Sequence, residues 1–238
     1  MTSTLIPNPA FGRIGIMGRA NKPSVIQSIY QICDFFHEQG LPLLIDHQTA
    51  RLPALSFARL GEIATIERSL LGGACDLVIV VGGDGSLLHA AQVLVKHKVP
   101  VVGVNRGRLG FLTDIYPDDL NVKLTSILQG HYQLEDRFLL KMEIRQGAHV
   151  IYEDMALNDI VLHAGKSVHM LDFHLKIDGL NVYRQHSDGL IASTPTGSTA
   201  YAFSAGGPIL WPELDAILVV PNNAHALFTT PLVVAPTS

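Results

Sequence analysis

Two short, uninterrupted apolar runs constrain the fold of this chain more than any other feature of its sequence. They occupy residues 77–81 and 100–104, and the stretch between them, 86–97, has a helical pattern. Continuous apolar runs of this length are typical of strands that are buried on both faces of a parallel sheet. The sequence therefore predicts an open α/β sheet, in which ligands bind beyond the carboxyl ends of the strands.

The rest of the first half continues this alternation of strands and helices. Apolar side chains recur at helical spacing over residues 23–39, and apolar runs predict strands at 13–17 and 41–45. Residues 60–71 have a weaker helical pattern, and residues 118–129 have a clear one that ends at a glycine. An α/β, Rossmann-like domain is therefore predicted for this half.

The pattern changes near residue 133, where short apolar pieces separated by glycine-containing turns replace the helical repeats. Such pieces are typical of β-structure. Strands are predicted at 139–144, 160–162, 172–177 and 190–193. We therefore predict two domains, an α/β domain with an open parallel sheet over 1–134 and an all-β, sandwich-like domain over 135–238.

The composition excludes several classes of protein. With 47% hydrophobic and 16% charged residues, the 238-residue chain is too apolar for disorder and long enough for two modest domains. Its formal net charge of −4 gives no general attraction to nucleic acid or to an anionic membrane. Cys33 and Cys75 make no disulfide framework, and neither a signal sequence nor a membrane-length apolar stretch is found. A soluble, cytoplasmic protein is expected.

The turn Gly-Gly-Asp-Gly at 82–85 directly follows the first apolar run and precedes the predicted helix. Glycines let the backbone approach a ligand closely, and the free N–H groups at the start of a helix favour anions. Asp84 adds negative charge where a phosphate would bind, so its chemistry indicates a base, a hydroxyl acceptor or a metal contact. An ordinary strand-to-helix turn is the alternative, because this composition is common in turns.

Three further motifs follow in order along the chain. They are Asn-Arg-Gly-Arg-Leu-Gly-Phe-Leu-Thr at 105–113, Leu-Asn-Asp-Ile-Val at 157–161, and a segment at 187–201 that ends in Ser-Thr-Pro-Thr-Gly-Ser-Thr-Ala-Tyr. Together with the glycine turn they resemble the motifs of NAD kinases, most closely the bacterial ATP/polyphosphate type, from about Ile14 to the end of the chain. The Gly-Gly-Asp-Gly turn alone is shared with phosphofructokinases and lipid kinases of the diacylglycerol kinase type, whereas the last motif is far narrower.

The resemblance implies that ATP or polyphosphate donates a phosphoryl group to the 2′-hydroxyl of the adenosine ribose of NAD, giving NADP. It implies Asp84 as the catalytic base and Mg²⁺ as a cofactor that arrives with the nucleotide donor. The glycine turn is expected to act as a phosphate loop through Gly82, Gly83 and Ser86. The residues expected to bind substrate are Gly85, Phe111, Asn158, Asp159, Asp188, Thr199, Ala200 and Tyr201.

Several of these assignments have a structural alternative. Asn158 and Asp159, where Asp159 replaces a more usual glutamate, form an Asx turn in the alternative interpretation. The segment 194–201 is also expected to cap a helix that begins near Thr199, and a helix start is itself an anion site. A lone aromatic residue such as Phe111 is more often part of a core.

The basic and histidine residues give weaker signals. Arg106 and Arg108 follow the second apolar run and are either phosphate contacts or solvated surface residues. The 11 histidines, among them His163, His169 and His174, lack a recognisable ligand spacing, so no dedicated transition-metal site is expected.

The resemblance also carries expectations about partners and assembly. NAD and ATP are the expected substrates, with neither nucleic acid nor a membrane as a partner, and the family implies a homodimer or homotetramer. Family members continue beyond the position of Ser238, so the second domain is expected to be truncated. Two alternative functions stay open: a non-catalytic form that binds NAD or NADP, and a lipid or sugar kinase of the same superfamily.

Overall fold

The chain folds into two compact units, Met1–Leu134 and Glu135–Ser238. A computed structural model describes residues 5–19, 21–56, 63–107, 110–165, 170–223 and 230–237. Each unit has an apolar core of its own.

The first unit is built on a five-stranded parallel sheet with the strand order β3-β2-β1-β4-β5. Its strands are β1 (Ile14–Gly18), β2 (Leu43–Asp46), β3 (Ala64–Ile66), β4 (Leu77–Gly82) and β5 (Val101–Asn105). The predicted open parallel sheet is therefore confirmed. Strand order reverses between β1 and β4, the kind of position at which α/β sheets open a crevice for ligands.

Helices cover both faces of this sheet. They are α1 (Pro23–Glu38), α2 (His47–Ala50), α3 (Leu71–Ala74), α4 (Asp84–Leu94) and α5 (Leu120–Leu128), with 3-10 turns at Arg68–Leu70, Val95–His97 and Pro117–Asp119. None of the helices in the described part of the chain combines the length and the apolar character needed to cross a bilayer.

The apolar run in β4 is continuous because the strand is buried from both sides. Leu77, Ile79 and Val81 pack into the cluster that contains α1, whereas Val78 and Val80 pack into a second cluster with Leu71 of α3 and Leu94 of α4. Successive side chains of a strand point to opposite faces, so a central strand needs apolar residues at every position.

The helix predicted at 60–71 is wrong for residues 64–66. Residues 64–66 form the edge strand β3 instead, with Thr65 paired to Ile45 of β2, and a 3-10 turn follows at Arg68–Leu70. The short stretch contains the β-branched residues Thr65 and Ile66, which favour a strand once a neighbouring strand is available. Residues 60–62 of the predicted helix lie outside the described residues.

The second unit consists mainly of antiparallel strands, which confirms the predicted β-rich class. A four-stranded sheet has the order β13-β12-β11-β8, and the hairpins β6–β7 and β9–β10 form separate two-stranded sheets. The strands are β6 (Leu140–Gln146), β7 (His149–Ala156), β8 (Asp159–His163), β9 (Leu171–Ile177), β10 (Leu180–Ser187), β11 (Gly189–Ser193), β12 (Ile217–Asn222) and β13 (Leu232–Val234). A 3-10 turn at Thr196–Thr199 and the four-residue helix α6 (Tyr201–Ser204) pack against β11.

Candidate functional site

Three neighbouring strands of the first unit end at the same edge of the sheet. Gly18 at the end of β1 pairs with Val81 of β4, and Gly82 at the end of β4 pairs with Asn105 at the end of β5. The segments that follow these strands are therefore brought together, although they are far apart in sequence. They are the residues after Gly18, the Gly-Gly-Asp-Gly turn and the residues after Asn105.

Asp84 is held in place by the backbone of a loop that follows β5. Its Oδ2 accepts a hydrogen bond from the Phe111 N–H at 2.9 Å, and its Oδ1 accepts one from the Leu112 N–H at 3.3 Å. A carboxylate offers about four acceptor positions, so these two bonds leave others free for a ligand. The carboxylate is thus oriented without being saturated.

Gly110 is required for this arrangement. A Cβ atom at that position would lie 2.1 Å from Oδ1 of Asp84, a distance that no side chain can occupy. Gly110 belongs to the motif at 105–113, but its role is not visible in the sequence, because it depends on a contact between residues that are 26 positions apart.

The three glycines of the turn at 82–85 border a cavity of about 440 Å³. Gly82 leaves room for the Ser86 side chain, since a Cβ there would lie 2.2 Å from Oγ of Ser86. A Cβ at Gly85 would meet nothing within 4 Å, so open space lies beside the start of α4. Gly82, Gly83, Gly85 and Ser86 all line the cavity, which supports the phosphate loop expected from the sequence.

Phe111 is not the core residue, and Arg106 not the solvated surface residue, that the structural alternatives from the sequence would make them. Phe111 is 79% exposed, so it is not part of the core. Arg106 is half-buried and donates from Nε to Oγ of the fully buried Ser28 at 2.6 Å, so it is not a freely solvated surface residue. Partial burial lowers the pKa of its guanidinium, and the nearby Asp118 opposes that shift. Arg108 lies outside the described residues.

In the second unit, Asn158 and Asp159 lie at the start of β8. The Asp159 carboxylate accepts a hydrogen bond from the Tyr201 N–H, and burial raises the pKa of the carboxyl group while this bond lowers it to a lesser extent. Oδ1 of Asn158 is buried and has no hydrogen-bond partner among the described residues. An Asx turn at Asn158 would occupy that oxygen, so the Asx-turn interpretation is wrong for this residue.

The segment after β11 is fastened to Leu157 and Asn158 by buried hydroxyl groups. Thr194 Oγ1 donates to the Leu157 carbonyl at 2.6 Å and accepts from the Gly197 N–H at 3.0 Å. The Asn158 carbonyl accepts from the Thr194 N–H at 2.8 Å. Gly197 packs so closely that a Cβ would lie 2.1 Å from the Asn158 carbonyl oxygen.

The predicted capped helix near Thr199 is only partly correct. A 3-10 turn ends at Thr199, α6 begins at Tyr201, and neither start has a side-chain cap. The Thr194 hydroxyl bonds to the Leu157 carbonyl and to the Gly197 N–H inside the 3-10 turn, and the Ser198 hydroxyl bonds to the Pro195 carbonyl and the Leu210 N–H, so neither of them caps α6. A helix of four residues also has too few aligned peptide groups to act as an anion site.

Asp188 lies at the other end of β11 from Asp159. Ser193 pairs with Asp159, whereas Gly189, the neighbour of Asp188, pairs with His163. The four intervening steps of the strand span about 13 Å. The structure therefore brings Asp159 close to Tyr201 but keeps Asp188 apart from both Asn158 and Asp159.

Two asparagines at the end of β12 complete this surface and were missed from the sequence. Nδ2 of Asn223 donates to Oδ2 of Asp188 at 2.9 Å, and Nδ2 of Asn222 donates to the Tyr201 hydroxyl at 3.2 Å. Tyr201 thus connects both ends, since its N–H contacts Asp159 and its hydroxyl contacts Asn222. The sequence signal was a pair of amides directly after an apolar run.

Among the described residues, no group of three or more histidine, cysteine, aspartate or glutamate side chains could hold a metal ion. His169 lies outside that part of the chain, and His163 and His174 belong to no such group.

Comparisons with known proteins agree for both units. Residues 14–132 match the model of the ATP-NAD kinase N-terminal domain, and residues 157–238 match that of the ATP-NAD kinase C-terminal domain. The chain is 61% identical to an NAD kinase of Psychrobacter arcticus and 57% identical to one of Acinetobacter baylyi. These matches cover 98% and 94% of the chain, respectively, and 72% of each relative.

Solved structures show the same likeness. The yeast NADH kinase in complex with NADH superposes with a TM-score of 0.85 at 24% identity, covering 98% of this chain and 74% of that one. At this identity the likeness concerns the fold alone. An NAD kinase from Archaeoglobus fulgidus in complex with ATP gives a TM-score of 0.69 at 27% identity, covering 94% of this chain and 77% of that one.

Proposed function

Because the chain belongs to the NAD kinase family, and its activity is therefore phosphoryl transfer to NAD, we propose that Asp84 is the base that accepts the proton of the attacking hydroxyl group. One observation supports this role: the Phe111 and Leu112 N–H groups donate to the Asp84 carboxylate and so hold it in one orientation beyond the carboxyl end of β4. A lipid or sugar kinase is disfavoured, because both units match NAD kinase models.

The reaction attaches the γ-phosphoryl group of ATP to the 2′-hydroxyl of the adenosine ribose of NAD. The bond between the γ-phosphorus and its bridging oxygen breaks, a bond to the 2′-oxygen forms, and ADP and NADP are the products. The transition state is loose, so catalysis depends on alignment and electrostatic stabilisation. Asp84 orients the hydroxyl group and takes its proton late, because an ordinary carboxylate is too weak a base to ionise an alcohol beforehand.

The second unit supplies the contacts for NAD in this proposal. The unpartnered Asn158 Oδ1 and the Asp159 carboxylate accept hydrogen bonds from the nucleoside, as amide and carboxylate oxygens do. Thr199 and Ala200 permit close backbone approach, and the half-exposed Tyr201 ring packs on the ligand. Asp188, five steps or about 16 Å along the chain from Ser193, the partner of Asp159, contacts the far end of the dinucleotide.

A magnesium ion fits this site if most of its ligands are phosphate oxygens of ATP and water. Mg²⁺ at nucleotide sites is bound by one or two carboxylates together with phosphate oxygens and water. Asp84 is the carboxylate that the glycine turn offers for this purpose. When bound, the ion neutralises charge that develops on the phosphates.

The test is NADP formation by the full chain from NAD, ATP and Mg²⁺, with Asp84→Asn as the variant. Turnover should fall about 10²–10⁴-fold, because general-base assistance is lost while the amide keeps a similar shape. Asp178→Asn is the matched control, since Asp178 lies in the β9–β10 turn at φ 52°, which asparagine tolerates. Near-normal turnover of the Asp84 variant would remove Asp84 from the role of base. NAD binding without NADP formation by the unmodified chain would favour the non-catalytic alternative.

A cytoplasmic location and homo-oligomeric assembly are further parts of the proposal. Cys33 and Cys75 are free and buried, and burial raises their thiol pKa values to about 12 and about 11, which suits a reducing compartment. The hairpin β6–β7 exposes Ile144, Ile151 and Tyr152, which supports association through the second unit. Light scattering of the purified chain measures the subunit number, and a monomer would contradict assembly.

A further inference from the structure

We propose that Asn222 and Asn223, at the end of β12, are positioning residues for the two ends of the NAD site, and that they make the chain select a dinucleotide over a mononucleotide. Asn222 acts through Tyr201, and Asn223 acts through Asp188. The proposal rests on the NAD contacts proposed above for these two partners and adds what holds them in place. It concerns the second unit alone, because all four residues belong to that unit.

The Asp188 carboxylate is oriented by a neutral group. Nδ2 of Asn223 donates to Oδ2 of Asp188 at 2.9 Å, and Asp188 is exposed. In the part of the chain that the structure describes, no lysine, arginine or histidine forms an ion pair with this carboxylate. An amide donor fixes the direction of a carboxylate without neutralising it, whereas an arginine would do both. Asp188 therefore keeps free acceptor positions for hydroxyl or amide hydrogens of a ligand.

The backbone beside Asp188 is fixed by both neighbouring strands, so the direction of its side chain depends on Asn223. Gly189 pairs with Asn222 of β12 and lies between β12 and β8. A Cβ atom at Gly189 would lie 2.1 Å from the Leu162 carbonyl oxygen, so β8 and β11 are in close backbone contact at this point. Loss of the Asn223 amide would thus free the carboxylate and leave the strand in place.

Asn223 has the backbone conformation that this role requires. Consecutive side chains of a regular strand point to opposite faces, so two neighbouring residues of a strand do not serve one surface. Asn223 leaves the strand with φ 48°, in the left-handed region that asparagine tolerates better than most residues do. This departure lets both amides reach partners on the surface that carries Tyr201 and Asp188.

Tyr201 is held at both of its ends. Its N–H donates to the Asp159 carboxylate, and its hydroxyl accepts from Nδ2 of Asn222 at 3.2 Å. The ring between these two points is 44% exposed. A half-exposed ring that is fixed at its hydroxyl loses little freedom when a ligand packs on it, which favours affinity. Asn222 therefore prepares the surface at the Asp159 end of the site.

These two adjacent residues set the spacing of contacts that lie far apart along β11. Asp159 pairs with Ser193, the last residue of β11, whereas Asp188 precedes the first residue, about 16 Å away along the chain. A mononucleotide reaches only the Asp159 end of this distance, and the second nucleoside of a dinucleotide reaches the other. Removal of the Asn223 amide should therefore weaken the binding of a dinucleotide alone. AMP, which carries the same adenosine ribose as NAD, is the suitable probe.

The experiment compares the full chain with Asn223→Gly, which removes the amide and keeps a residue that tolerates φ 48°. The KM for NAD should rise about five- to tenfold with kcat nearly unchanged, because the lost bond orients a charged group that serves binding. The inhibition constant of AMP, measured in competition with NAD, should stay within about twofold. Asn181→Ala, at an exposed position of β10, is the matched control and should change neither constant.

Asn222→Ala should have a different profile. Loss of its amide frees the Tyr201 hydroxyl, and Tyr201 lies at the end of the site that both ligands share. The KM for NAD and the inhibition constant of AMP should therefore rise together, by about two- to fivefold, as expected for a neutral hydrogen bond. A rise in the KM for NAD alone would contradict the action of Asn222 through Tyr201.

The action of Asn223 through Asp188 is tested in an Asp188→Ala background. Once the carboxylate is gone, Asn223→Gly should have no further effect on the KM for NAD, because interacting residues are not additive. Three results would overturn the proposal: an unchanged KM for NAD in the single Asn223→Gly variant, an equal rise for AMP, or an effect of the same size in both backgrounds.

The proposal can fail separately from the kinase function. If the unmodified chain makes no NADP, calorimetric titration with NAD and AMP measures the same ratios as dissociation constants. Weaker NAD binding with unchanged AMP binding in Asn223→Gly supports the proposal. Equal NAD binding by this variant and by Asn181→Ala contradicts it and leaves the proposed function intact. If the unmodified chain does not bind NAD, both fail.

Discussion

The glycine turn at 82–85 and the threonine-rich segment at 193–201 are held in place by opposite means. In the first unit, side chains are absent where the backbone bends, and the Asp84 carboxylate is held by main-chain amides from another loop. In the second unit, buried hydroxyl groups fasten the segment to its neighbours. Ser198 Oγ, for example, donates to the Pro195 carbonyl at 2.6 Å and accepts from the Leu210 N–H at 2.9 Å.

The difference separates two kinds of sensitivity to mutation. Where a glycine makes room for the proposed catalytic side chain, an added methyl group displaces that side chain and should mainly reduce turnover. Where hydroxyl groups satisfy buried backbone atoms, their removal leaves polar groups without partners and should mainly reduce stability. Variants of the two segments test this difference.

The largest effect is expected for Gly110→Ala. The new Cβ would lie 2.1 Å from Oδ1 of Asp84, so the carboxylate must leave the Phe111 and Leu112 amides. Turnover should fall about 10²–10⁴-fold, as for loss of the base itself, while the free energy of unfolding changes little, because the end of one side chain can move. Steady-state kinetics and urea unfolding measure the two quantities. Gly12→Ala is the control, since its Cβ would make only an ordinary 3.4 Å contact.

Gly197→Ala should have the opposite profile. Its Cβ would meet the Asn158 carbonyl oxygen at 2.1 Å and the carbonyl carbon at 2.4 Å, and these backbone atoms cannot move alone. The free energy of unfolding should fall by about 1–3 kcal/mol, the usual cost of overpacking. Urea unfolding measures it against Gly12→Ala. A variant as stable as that control would show that the segment adapts, and the contrast between the two units would then be lost.

The sequence predicts the strands of the first unit well because their signals are local. The run in β4 must be apolar at every position, since both faces are covered, and that requirement is visible without knowing the neighbours. The edge strand β3 carries no such requirement. Its three residues are partly exposed, and only pairing with β2 makes them a strand.

The candidate site is predictable in its residues but not in its geometry. The family motifs point to Asp84, Asn158 and Tyr201, yet the amides that hold Asp84 come from a loop more than 25 positions away. Arg19 and Lys22 line the cavity beside the glycine turn but have no sequence signal beyond being basic residues after a strand. Their place in the lining follows from the strand order, which sets β1 next to β4.

A smaller effect is expected for Thr194→Val. Valine keeps the shape of threonine but loses the hydroxyl group, so the buried Leu157 carbonyl and the Gly197 N–H each lose a partner. The free energy of unfolding should fall by about 1–2 kcal/mol, with turnover per folded molecule nearly unchanged. Thr65→Val, at an exposed position of β3, is the matched control. A variant that unfolds like the control but loses activity would contradict the assignment of this hydroxyl to stability.

Asp159→Asn should have the smallest effect on stability, and the size of this effect should depend on pH. Burial raises the pKa of this carboxyl in the folded chain, so the native state binds the proton more tightly than the unfolded state does. The contribution of the carboxyl to stability therefore falls as pH rises through the window between the unfolded pKa and the raised native one. At pH 7 the ionised group costs stability, and the asparagine variant should be more stable than the unmodified chain.

That gain should shrink as the pH is lowered toward 3.8, the ordinary pKa of an aspartate side chain, where the unmodified carboxyl is protonated as well. Urea unfolding at pH 5 and pH 7.5 measures the gain, with Asp178→Asn as the control. Asparagine can still accept from the Tyr201 N–H, but it lacks the charge that receives hydroxyl groups of a ribose, so NAD should bind about tenfold more weakly. A variant less stable than the unmodified chain at pH 7.5 would mean that the bond from Tyr201 outweighs burial at this carboxylate. Asp159 would then stabilise the second unit, as the buried hydroxyl groups of the segment 193–201 do. It would not be a group that lowers the free energy of unfolding but serves ligand binding.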